Sequence, residues 1–90
     1  MTQKQWTLYI LSCKDGTLYT GITDNLKRRL AAHRAGKGAK YTRGSGPLVL
    51  CYIELCEDHS HALRRELAVK SLSRQEKLDL CAGFALDEEL

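Results

Sequence analysis

Two short runs of apolar and aromatic residues lie near the start of the chain, with charged residues and a glycine between them. Residues 6–13 and 17–22 have the composition that is typical of strands. The segment Lys14-Asp15-Gly16 between them consists of turn-forming residues. We therefore predict that the two runs pair as a β-hairpin.

The length of the hairpin turn decides which side chains share a face of the sheet. Successive strand side chains alternate between faces, so a two-residue turn separates Tyr9 from Tyr19, whereas a three-residue turn places them together. A three-residue turn ends in a left-handed residue, which Gly16 can supply. We predict this longer turn, with Tyr9 opposite Gly21, whose missing side chain leaves room for the tyrosine ring.

The next segments alternate between helical and strand-like patterns. Residues 24–35 have helical composition, begin at the capping pair Thr23-Asp24 and end at Gly36, a common C-terminal cap. Residues 37–47 are rich in glycine and cations, which indicates an exposed loop. Residues 48–56 hold valine, isoleucine, leucine and tyrosine and predict a third strand.

Two helices complete the pattern. The first is capped by Asp58 or Ser60 and extends to about Leu72, and the second begins at the capping box Ser73-Arg74-Gln75-Glu76. The element order is β-β-α-β-α-α. It predicts an α+β fold in which helices flank a small three-stranded antiparallel sheet.

Length and composition limit the classes of protein to which this chain can belong. The 90 residues suffice for a single domain, whose core we expect at about residues 6–80, with an acidic C-terminal tail at 83–90. The 43% of hydrophobic and 28% of charged residues exclude intrinsic disorder. No apolar run approaches the ~20 residues of a membrane helix, and the first residues lack a signal region. We expect a cytoplasmic protein without a membrane partner.

The cysteine and histidine spacings do not predict a metal centre. Four cysteines form neither a Cys-x-x-Cys pair nor a tetrad with histidines, and we expect them to be reduced thiols that pack like small hydrophobic residues. They are Cys13, Cys51, Cys56 and Cys81. His59 and His61 are close enough to share a metal, but no third ligand is spaced to complete its shell.

The positive charge is concentrated in one segment. Between Asp24 and Glu54 the chain carries seven cations and no anion, although its net charge is only +3. The cations are Lys27, Arg28, Arg29, Arg34, Lys37, Lys40 and Arg43. A block of one sign indicates either an anionic partner, most simply a nucleic-acid backbone, or a solvated basic face without a partner.

Candidate chemistry lies on the first two predicted helices. Arg29 and His33 are spaced i, i+4 and flank the apolar seam of the first helix, as ordinary boundary residues or as a functional pair. Glu66 lies on the apolar stripe of the second helix with Ala62 and Val69, where a carboxylate needs a partner. That partner is either a neighbouring arginine or a metal ion, and a single carboxylate suits Mg²⁺, which keeps several waters.

The spacing of five residues resembles the GIY-YIG nuclease superfamily. Ten residues separate Tyr9 from Tyr19 and Tyr19 from Arg29, His33 follows four residues later, and Glu66 lies 37 residues beyond Arg29. The resemblance covers about residues 7–80, and the basic segment 37–42 is similar to the small standalone bacterial branch of the family. The two halves of the family signature are similar to Thr7-Leu8-Tyr9 and Tyr19-Thr20-Gly21.

The resemblance implies a metal-dependent endonuclease. Glu66 would hold one divalent ion, Mg²⁺ or Mn²⁺, and Arg29 would donate to the phosphate as negative charge builds on it. Tyr9 would act as the general base, Tyr19 would orient the water or hold Tyr9, and His33 would shuttle the proton. Nearby positive charge would have to lower the pKa of Tyr9 from its ordinary value of about 10.

The resemblance also implies a nucleic-acid partner, DNA more than RNA, held by its backbone without recognition of bases. The residues expected to contact it are Arg28, Arg34, Lys37, Lys40 and Arg43. We expect nonspecific or structure-guided cleavage, with a role in DNA repair or processing by family analogy. We expect a monomer or a weak homodimer, because a sheet edge can pair with a second copy.

Two other functions remain open at this point. Nucleases of this family often carry an asparagine that follows the metal-binding glutamate in the chain, whereas the only asparagine here, Asn25, lies far upstream of Glu66. A catalytically weak nucleic-acid-binding module with the same fold would bind without metal and lose affinity steeply with salt. A protein-interaction domain would use the acidic tail, or Phe84 and Leu86 within it, and would bind no nucleic acid.

Overall fold

The structure is a computed structural model that describes residues 4–13, 16–36, 48–84 and 88–89. Within these residues three helices and three main strands follow the predicted order, so the predicted α+β fold is confirmed. The elements are β1 Trp6–Ser12, β2 Leu18–Thr23, α1 Leu26–Arg34, β3 Val49–Cys56, α2 His59–Lys70, α3 Arg74–Phe84 and β4 Glu88–Glu89.

The sheet has the strand order β2-β1-β3-β4, so the first strand of the chain is a central one. β1 runs antiparallel to both β2 and β3, as expected for the predicted three-stranded sheet. The short β4 adds to the outer edge of β3 by pairing with Val49 and Leu50. The sequence does not predict β4, because two adjacent glutamates carry no strand signal. β2 therefore lies at the other edge of the sheet.

The hairpin has the predicted register. Tyr9 pairs with Gly21, and Tyr9 and Tyr19 consequently share one face of the sheet. Gly16 ends the turn with a φ of +87°, the left-handed conformation that the three-residue turn requires. The other two residues of the turn lie outside the described residues.

Helices cover both faces of the sheet. On one face, α1 packs against a core formed by Tyr9, Leu11, Cys13, Leu48 and Leu50. On the other face, α2 and α3 pack against a second core formed by Leu8, Ile10, Cys56, Ala62 and Val69. Because side chains alternate along β1, this strand contributes residues to both cores and forms the centre of the molecule.

The first helix begins slightly later than the sequence predicts. Its N-cap is Asn25, whose Oδ1 accepts a hydrogen bond from the backbone N–H of Arg28 at 3.1 Å. The predicted start at residues 23–24 is wrong, because Thr23 still belongs to β2 and its Oγ1 accepts the Asn25 amide at 3.0 Å. The predicted end is confirmed, since Gly36 follows the helix with a φ of +76°.

The caps of the two later helices follow the sequence. Asp58, rather than Ser60, caps α2. The Ser73 Oγ accepts the amide of Glu76 at 3.1 Å, and the Glu76 carboxylate accepts the amide of Ser73 at 3.0 Å, so the capping box of α3 is confirmed. α2 ends at Lys70, two residues before the predicted boundary.

Part of the segment assigned to the acidic tail is structured. Phe84 is the last residue of α3, and its ring packs edge-on against Tyr52 with 5.3 Å between ring centres. Leu86 lies outside the described residues. α3 therefore extends by two residues into the segment that the sequence analysis assigns to the acidic tail.

The four cysteines are free thiols, with Cys13 and Cys56 buried and the other two half-buried. Burial raises the pKa of Cys81 to about 11, so this thiol stays protonated at neutral pH. Among the described residues, none of the helices has the length and hydropathy needed to cross a bilayer.

Candidate active site

Four of the five candidate catalytic residues meet on the face of the sheet that α1 covers. β1 and β2 present Tyr9 and Tyr19 side by side, with ring centres 6.2 Å apart. α1 presents Arg29 and His33 one turn apart above them. The His33 ring contacts both tyrosines edge to face, at 5.8 Å from Tyr9 and 5.6 Å from Tyr19. We call these four residues the tyrosine cluster.

The Tyr9 hydroxyl is the centre of the hydrogen bonds in the tyrosine cluster. It lies 2.9 Å from Nε2 of His33, and Nε of Arg29 donates to it at 3.3 Å. Arg29 also lies close enough to interact with the Tyr19 hydroxyl. Because a guanidinium is only a donor, the Tyr9 oxygen accepts from Arg29 and its own proton is available to Nε2 of a neutral His33.

Burial keeps the inner pair of the cluster neutral. Tyr9 is 0% exposed, and burial raises its pKa to about 12 although the hydrogen bond from Arg29 acts in the opposite direction. Burial, and next the charge of Arg29, lowers the pKa of His33 below its ordinary value. Tyr19 and Arg29 are only half-buried, so these two form the surface of the cluster.

The close approach of the two tyrosines requires a glycine on β2. A Cβ atom at Gly21 would lie 2.7 Å from the Tyr9 hydroxyl oxygen, 2.8 Å from its Cζ and 3.0 Å from Cε2 of Tyr19. Real Cβ atoms do not approach other atoms so closely. The predicted role of Gly21 is confirmed by this packing: the hydroxyl end of Tyr9 lies where a side chain would begin.

An open cleft of about 560 Å³ lies beside the first two turns of α1. We call it the α1 cleft. Three cations line it, Lys4, Arg28 and Arg29, and Arg29 connects it to the tyrosine cluster. Among the described residues that line it, the anion is Asp24, which forms an ion pair with Lys4 at 3.0 Å, and this pair lowers the pKa of Asp24. The cleft therefore presents an excess of positive charge beside the cluster.

The structure describes only part of the predicted nucleic-acid-binding set. Arg28 and Arg34 are exposed on α1, as that prediction requires. Lys37, Lys40 and Arg43 lie outside the described residues. Lys4 is a cation of the same surface that the sequence did not single out, since it lies far from the basic block along the chain.

Glu66 lies on the other side of the sheet, on α2. Ala62 and Val69 point into the core, and residues are about 100° apart around a helix, so Arg65 and Glu66 flank this buried stripe on opposite sides. Arg65 leans towards β3, where it hydrogen-bonds to Glu54. Glu66 consequently lies on the β2 side of α2, because β2 and β3 are on opposite sides of β1.

Glu66 is half-buried, and its carboxylate forms an ion pair with Lys70 at 3.4 Å. The predicted alternative of an arginine partner is wrong, because the neighbouring Arg65 is engaged by Glu54 at 2.9 Å. No group of three or more His, Cys, Asp or Glu side chains in the described part of the chain is arranged to hold a metal. An ion at Glu66 would have one protein carboxylate, a donor set that fits hydrated Mg²⁺.

The Glu54–Arg65 pair is an interaction that sequence reasoning missed. The Tyr52 hydroxyl donates to the same carboxylate at 2.8 Å, and the hydrogen bond from Arg65 lowers the pKa of Glu54. Side chains alternate between the two faces of a strand, so Glu54 lies on the same face of β3 as Tyr52 and Cys56. This alternation was the sequence signal from which the interaction could have been predicted. The Glu54–Arg65 pair joins α2 to β3 and lies outside the tyrosine cluster.

The two neighbouring histidines have other partners than a metal. His59 stacks on Trp6 with ring centres 4.3 Å apart, and Nδ1 of His61 accepts the amide of Glu57 at 3.0 Å. The stack of His59 on Trp6 joins the start of α2 to β1, and the bond from Glu57 to His61 lies within the first turn around the α2 N-terminus.

Comparison with known proteins identifies the same family as the residue spacing. Residues 5–79 match the family model described as the GIY-YIG catalytic domain. The chain is 50% identical to UPF0213 protein CPE1444 of Clostridium perfringens, over 91% of this chain and 88% of that protein. It is 48% identical to UPF0213 protein plu4503 of Photorhabdus laumondii, over 100% of this chain and 88% of that protein.

Two solved structures share the fold. The solution NMR structure of UPF0213 protein BH0048 from Bacillus halodurans is 46% identical and covers 87% of this chain and 83% of its own, with a TM-score of 0.57. The solution NMR structure of protein EF2693 from E. faecalis is 37% identical and covers 93% and 90%, with a TM-score of 0.64.

Proposed function

This chain belongs to the GIY-YIG family, within its UPF0213 group, and on that premise we propose that it is an endonuclease that hydrolyses phosphodiester bonds in DNA with one divalent ion, Mg²⁺ or Mn²⁺. The observation that carries the proposal is the tyrosine cluster, whose hydrogen bonds join two tyrosines, a histidine and an arginine beside a cation-lined cleft. These are groups that can move a proton and stabilise a phosphate.

Arg29 is the group that meets the scissile phosphate. It is half-buried, lines the α1 cleft and donates one of its five N–H groups to Tyr9, with the Tyr19 hydroxyl also within reach. The remaining donors can bind the phosphate oxygens, where negative charge builds in the transition state. The bond to Tyr9 fixes the guanidinium in place, so little reorganisation is needed when the substrate arrives.

Tyr9 and His33 move the proton of the attacking water. At a pKa of about 12, only about one Tyr9 in 10⁵ is ionised at pH 7, so a resting tyrosinate is not the base. Instead, Tyr9 passes its proton to Nε2 of His33, 2.9 Å away, as it receives the proton from the water. Arg29 stabilises the charge that develops on the phenol oxygen during this transfer.

Tyr19 holds the water in this scheme. Tyr9 is fully buried, whereas Tyr19 is half-buried on the edge strand β2 and lies beside both Tyr9 and Arg29. The substrate side of the cluster is therefore Tyr19 with Arg29, and the inner side is Tyr9 with His33. This division assigns separate tasks to the two tyrosines.

Glu66 is the residue that holds the divalent ion. β2 is the free edge of the sheet, so Arg29 from α1 and Glu66 from α2 approach that edge from its two faces. A divalent ion held by Glu66 would supply Lewis-acid stabilisation of the negative charge that develops during phosphodiester hydrolysis. Lys70 competes for the carboxylate at 3.4 Å, but its side chain is 52% exposed, and an exposed ion pair of this kind is weak.

The α1 cleft holds the phosphates next to the scissile one. Its cations, with Arg34 at the end of α1, bind the backbone and not the bases, which supports cleavage without a long recognition sequence. We assign DNA as the substrate and DNA processing as the role by analogy with the family.

The proposal is tested by cleavage of labelled single-stranded, double-stranded and branched DNA, and of RNA, with Mg²⁺, Mn²⁺ or EDTA. We expect metal-dependent cleavage that falls by about 10²-fold or more in Tyr9→Phe, Arg29→Ala and Glu66→Gln. Tyr52→Phe, Arg64→Ala and Glu57→Gln change the same residue types outside the cluster and are expected to keep activity. Cleavage that persists in EDTA, or equally in all six variants, would contradict the proposed site.

A nucleic-acid-binding module without catalysis is the second candidate, and the complete burial of Tyr9 with its raised pKa favours it. Such a module retains the α1 cleft and binds DNA equally well in EDTA. Glu66→Gln would leave its affinity unchanged, and no substrate in the cleavage series would be cut. The same set of proteins therefore separates the two functions.

A further inference from the structure

The strand β3 contains a β-bulge at Cys51. Two consecutive residues of β1, Ile10 and Leu11, pair with Tyr52 and Leu50, so Cys51 is the extra residue of the bulge. Leu50 packs in the core that α1 covers, whereas Tyr52 packs against the core on the side of α2 and α3. Residues two apart in a regular strand face the same way. The bulge therefore changes the alternation of side chains at Cys51.

The helix α3 brings Cys81 to this bulge. Burial, and next the neighbouring Cys51 thiol, raises the pKa of Cys81 to about 11, and a side-chain hydrogen bond joins the two thiols. A second contact shows the same arrangement: Phe84, one turn after Cys81, packs its ring against Tyr52 with 5.3 Å between ring centres. Two consecutive residues of β3 thus face two successive turns of α3.

These two cysteines are also the ones that solvent reaches. Cys51 and Cys81 are half-buried, whereas Cys13 and Cys56 are 5% and 3% exposed. Formation of a disulfide requires a thiol that a small oxidant can reach and a second thiol close enough to bond with it. Cys51 and Cys81 meet both conditions.

We infer that Cys51 and Cys81 form an oxidation site, at which a peroxide converts the two thiols into a disulfide that links β3 to α3. The inference does not depend on the proposed function, because the pair involves α3 and lies outside the tyrosine cluster. The disulfide closes the loop that contains α2 and most of α3. Such a link restricts the unfolded chain and so stabilises the folded one.

The reaction uses the two thiols in order. Cys81 stays protonated at neutral pH, so Cys51 is the thiol that attacks the peroxide, as a thiolate, to give a sulfenic acid and hydroxide. The Cys81 sulfur then attacks the sulfur of this sulfenic acid, the S–O bond breaks, and the Cys81 proton leaves with the hydroxide as water. In total the two thiols lose two electrons and two protons, and the peroxide is reduced to two molecules of water.

The test treats the reduced full chain with hydrogen peroxide and follows thiol content and intact mass under non-reducing conditions. We expect the four thiols to fall to two and the mass to fall by two hydrogen atoms, with dithiothreitol reversing both changes. Proteolysis is expected to release a peptide pair that joins residue 51 to residue 81. The oxidised protein is expected to melt about 10 °C or more above the reduced one.

Single substitutions test the order of the two thiols. Cys51→Ser and Cys81→Ser are both expected to form no internal disulfide and to show no rise in melting temperature with peroxide. Cys81→Ser is expected to accumulate a sulfenic acid at Cys51, which dimedone labels. Cys56→Ala removes a buried thiol as the matched control and is expected to form the disulfide as the wild type does. If this variant fails to fold, Cys13→Ala takes its place.

Three results would contradict the inference. Survival of all four thiols in peroxide would overturn the oxidation site, as would a covalent dimer in place of the internal disulfide. An equal loss of thiols and an equal rise in melting temperature in Cys51→Ser would assign the effect to other cysteines. Dimedone labelling of Cys81 in Cys51→Ser, with none of Cys51 in Cys81→Ser, would overturn the assignment of Cys51 as the attacking thiol.

Discussion

At the scale of single residues, Gly21 is a position that leaves no room for a side chain. An alanine there places its Cβ 2.7 Å from the Tyr9 hydroxyl, so the ring or the strand must shift. We expect Gly21→Ala to lower the free energy of unfolding by about 1–3 kcal/mol and to remove most of the cleavage activity. Urea unfolding and the DNA cleavage assay measure the two effects.

Gly83 provides the matched control. It lies inside α3 with no atom within 4 Å of an added Cβ, so an alanine gains helix propensity without a clash. Gly83→Ala is expected to raise the free energy of unfolding by about 0.5–1 kcal/mol. Equal stability of the two alanine proteins would contradict the packing described for Tyr9.

His33 makes stability depend on pH. Burial, followed by the charge of Arg29, holds its folded pKa below the ordinary 6.5, which the unfolded chain retains. Below pH 6.5 the unfolded state therefore binds more protons, and the free energy of unfolding falls until the pH passes the folded pKa. We expect urea unfolding to show this loss between pH 7 and pH 5. An equal loss in His33→Gln would assign it to other groups.

The position of the candidate tyrosines on one face of the sheet was predictable, but the extent to which each is buried was not. Strand parity and the three-residue turn were sufficient to place Tyr9 and Tyr19 together on one face. Parity does not say how completely α1 covers each ring, so the full burial of Tyr9 and the exposure of Tyr19 came only from the structure. The ion pair of Glu66 with Lys70 likewise depends on which nearby cations are already engaged.

At the scale of elements, the cap of α1 connects stability to binding. Asn25 caps the turn that carries Arg28 and Arg29 and also lines the α1 cleft. We expect Asn25→Ala to lose about 1 kcal/mol of stability, because the Arg28 amide loses its acceptor. Asn25→Asp keeps an acceptor and suits the helix dipole, so its stability is expected to stay within about 0.5 kcal/mol of the wild type.

The aspartate variant separates the cap from the charge. It adds an anion to the α1 cleft, so its DNA affinity in a fluorescence anisotropy titration is expected to fall although the helix stays intact. Unchanged DNA affinity in Asn25→Asp would show that the α1 cleft does not bind the backbone.

Local signals predicted the elements well where the chain provides its own cap. The capping box at Ser73 and Glu76 and the glycine at the end of α1 needed no tertiary information. The start of α1 was missed because Thr23, Asp24 and Asn25 are all good caps, and only the end of β2 decides among them. β4 depends on the edge of β3, which its own residues cannot reveal.

At the scale of the whole molecule, the proposed DNA-binding surface is defined by its positive charge. The slope of log affinity against log salt counts the phosphates that a protein neutralises. We expect Arg28→Ala, in the α1 cleft, to weaken DNA binding and to reduce this slope by about 1. Arg64, an exposed cation on α2 that hydrogen-bonds to Ser60, is the control.

Arg64→Ala removes the same charge and is expected to leave the salt slope unchanged. Equal slopes in both arginine variants would mean that net charge, and not the α1 cleft, attracts DNA. The sequence identified the basic block but not Lys4 beside it, because Lys4 reaches Asp24, between β2 and α1, only in the folded chain.

The central position of β1 also sets the order in which the parts of the sheet can form during folding. Its pairing with β2 is local, but its pairing with β3 brings Trp6 to Cys56. Such distant pairings are the slow part of folding. A nascent chain emerging from the ribosome contains all four residues of the tyrosine cluster after His33, yet β1 gains its second partner only when residue 56 has followed. The residues synthesised first therefore reach their final geometry late.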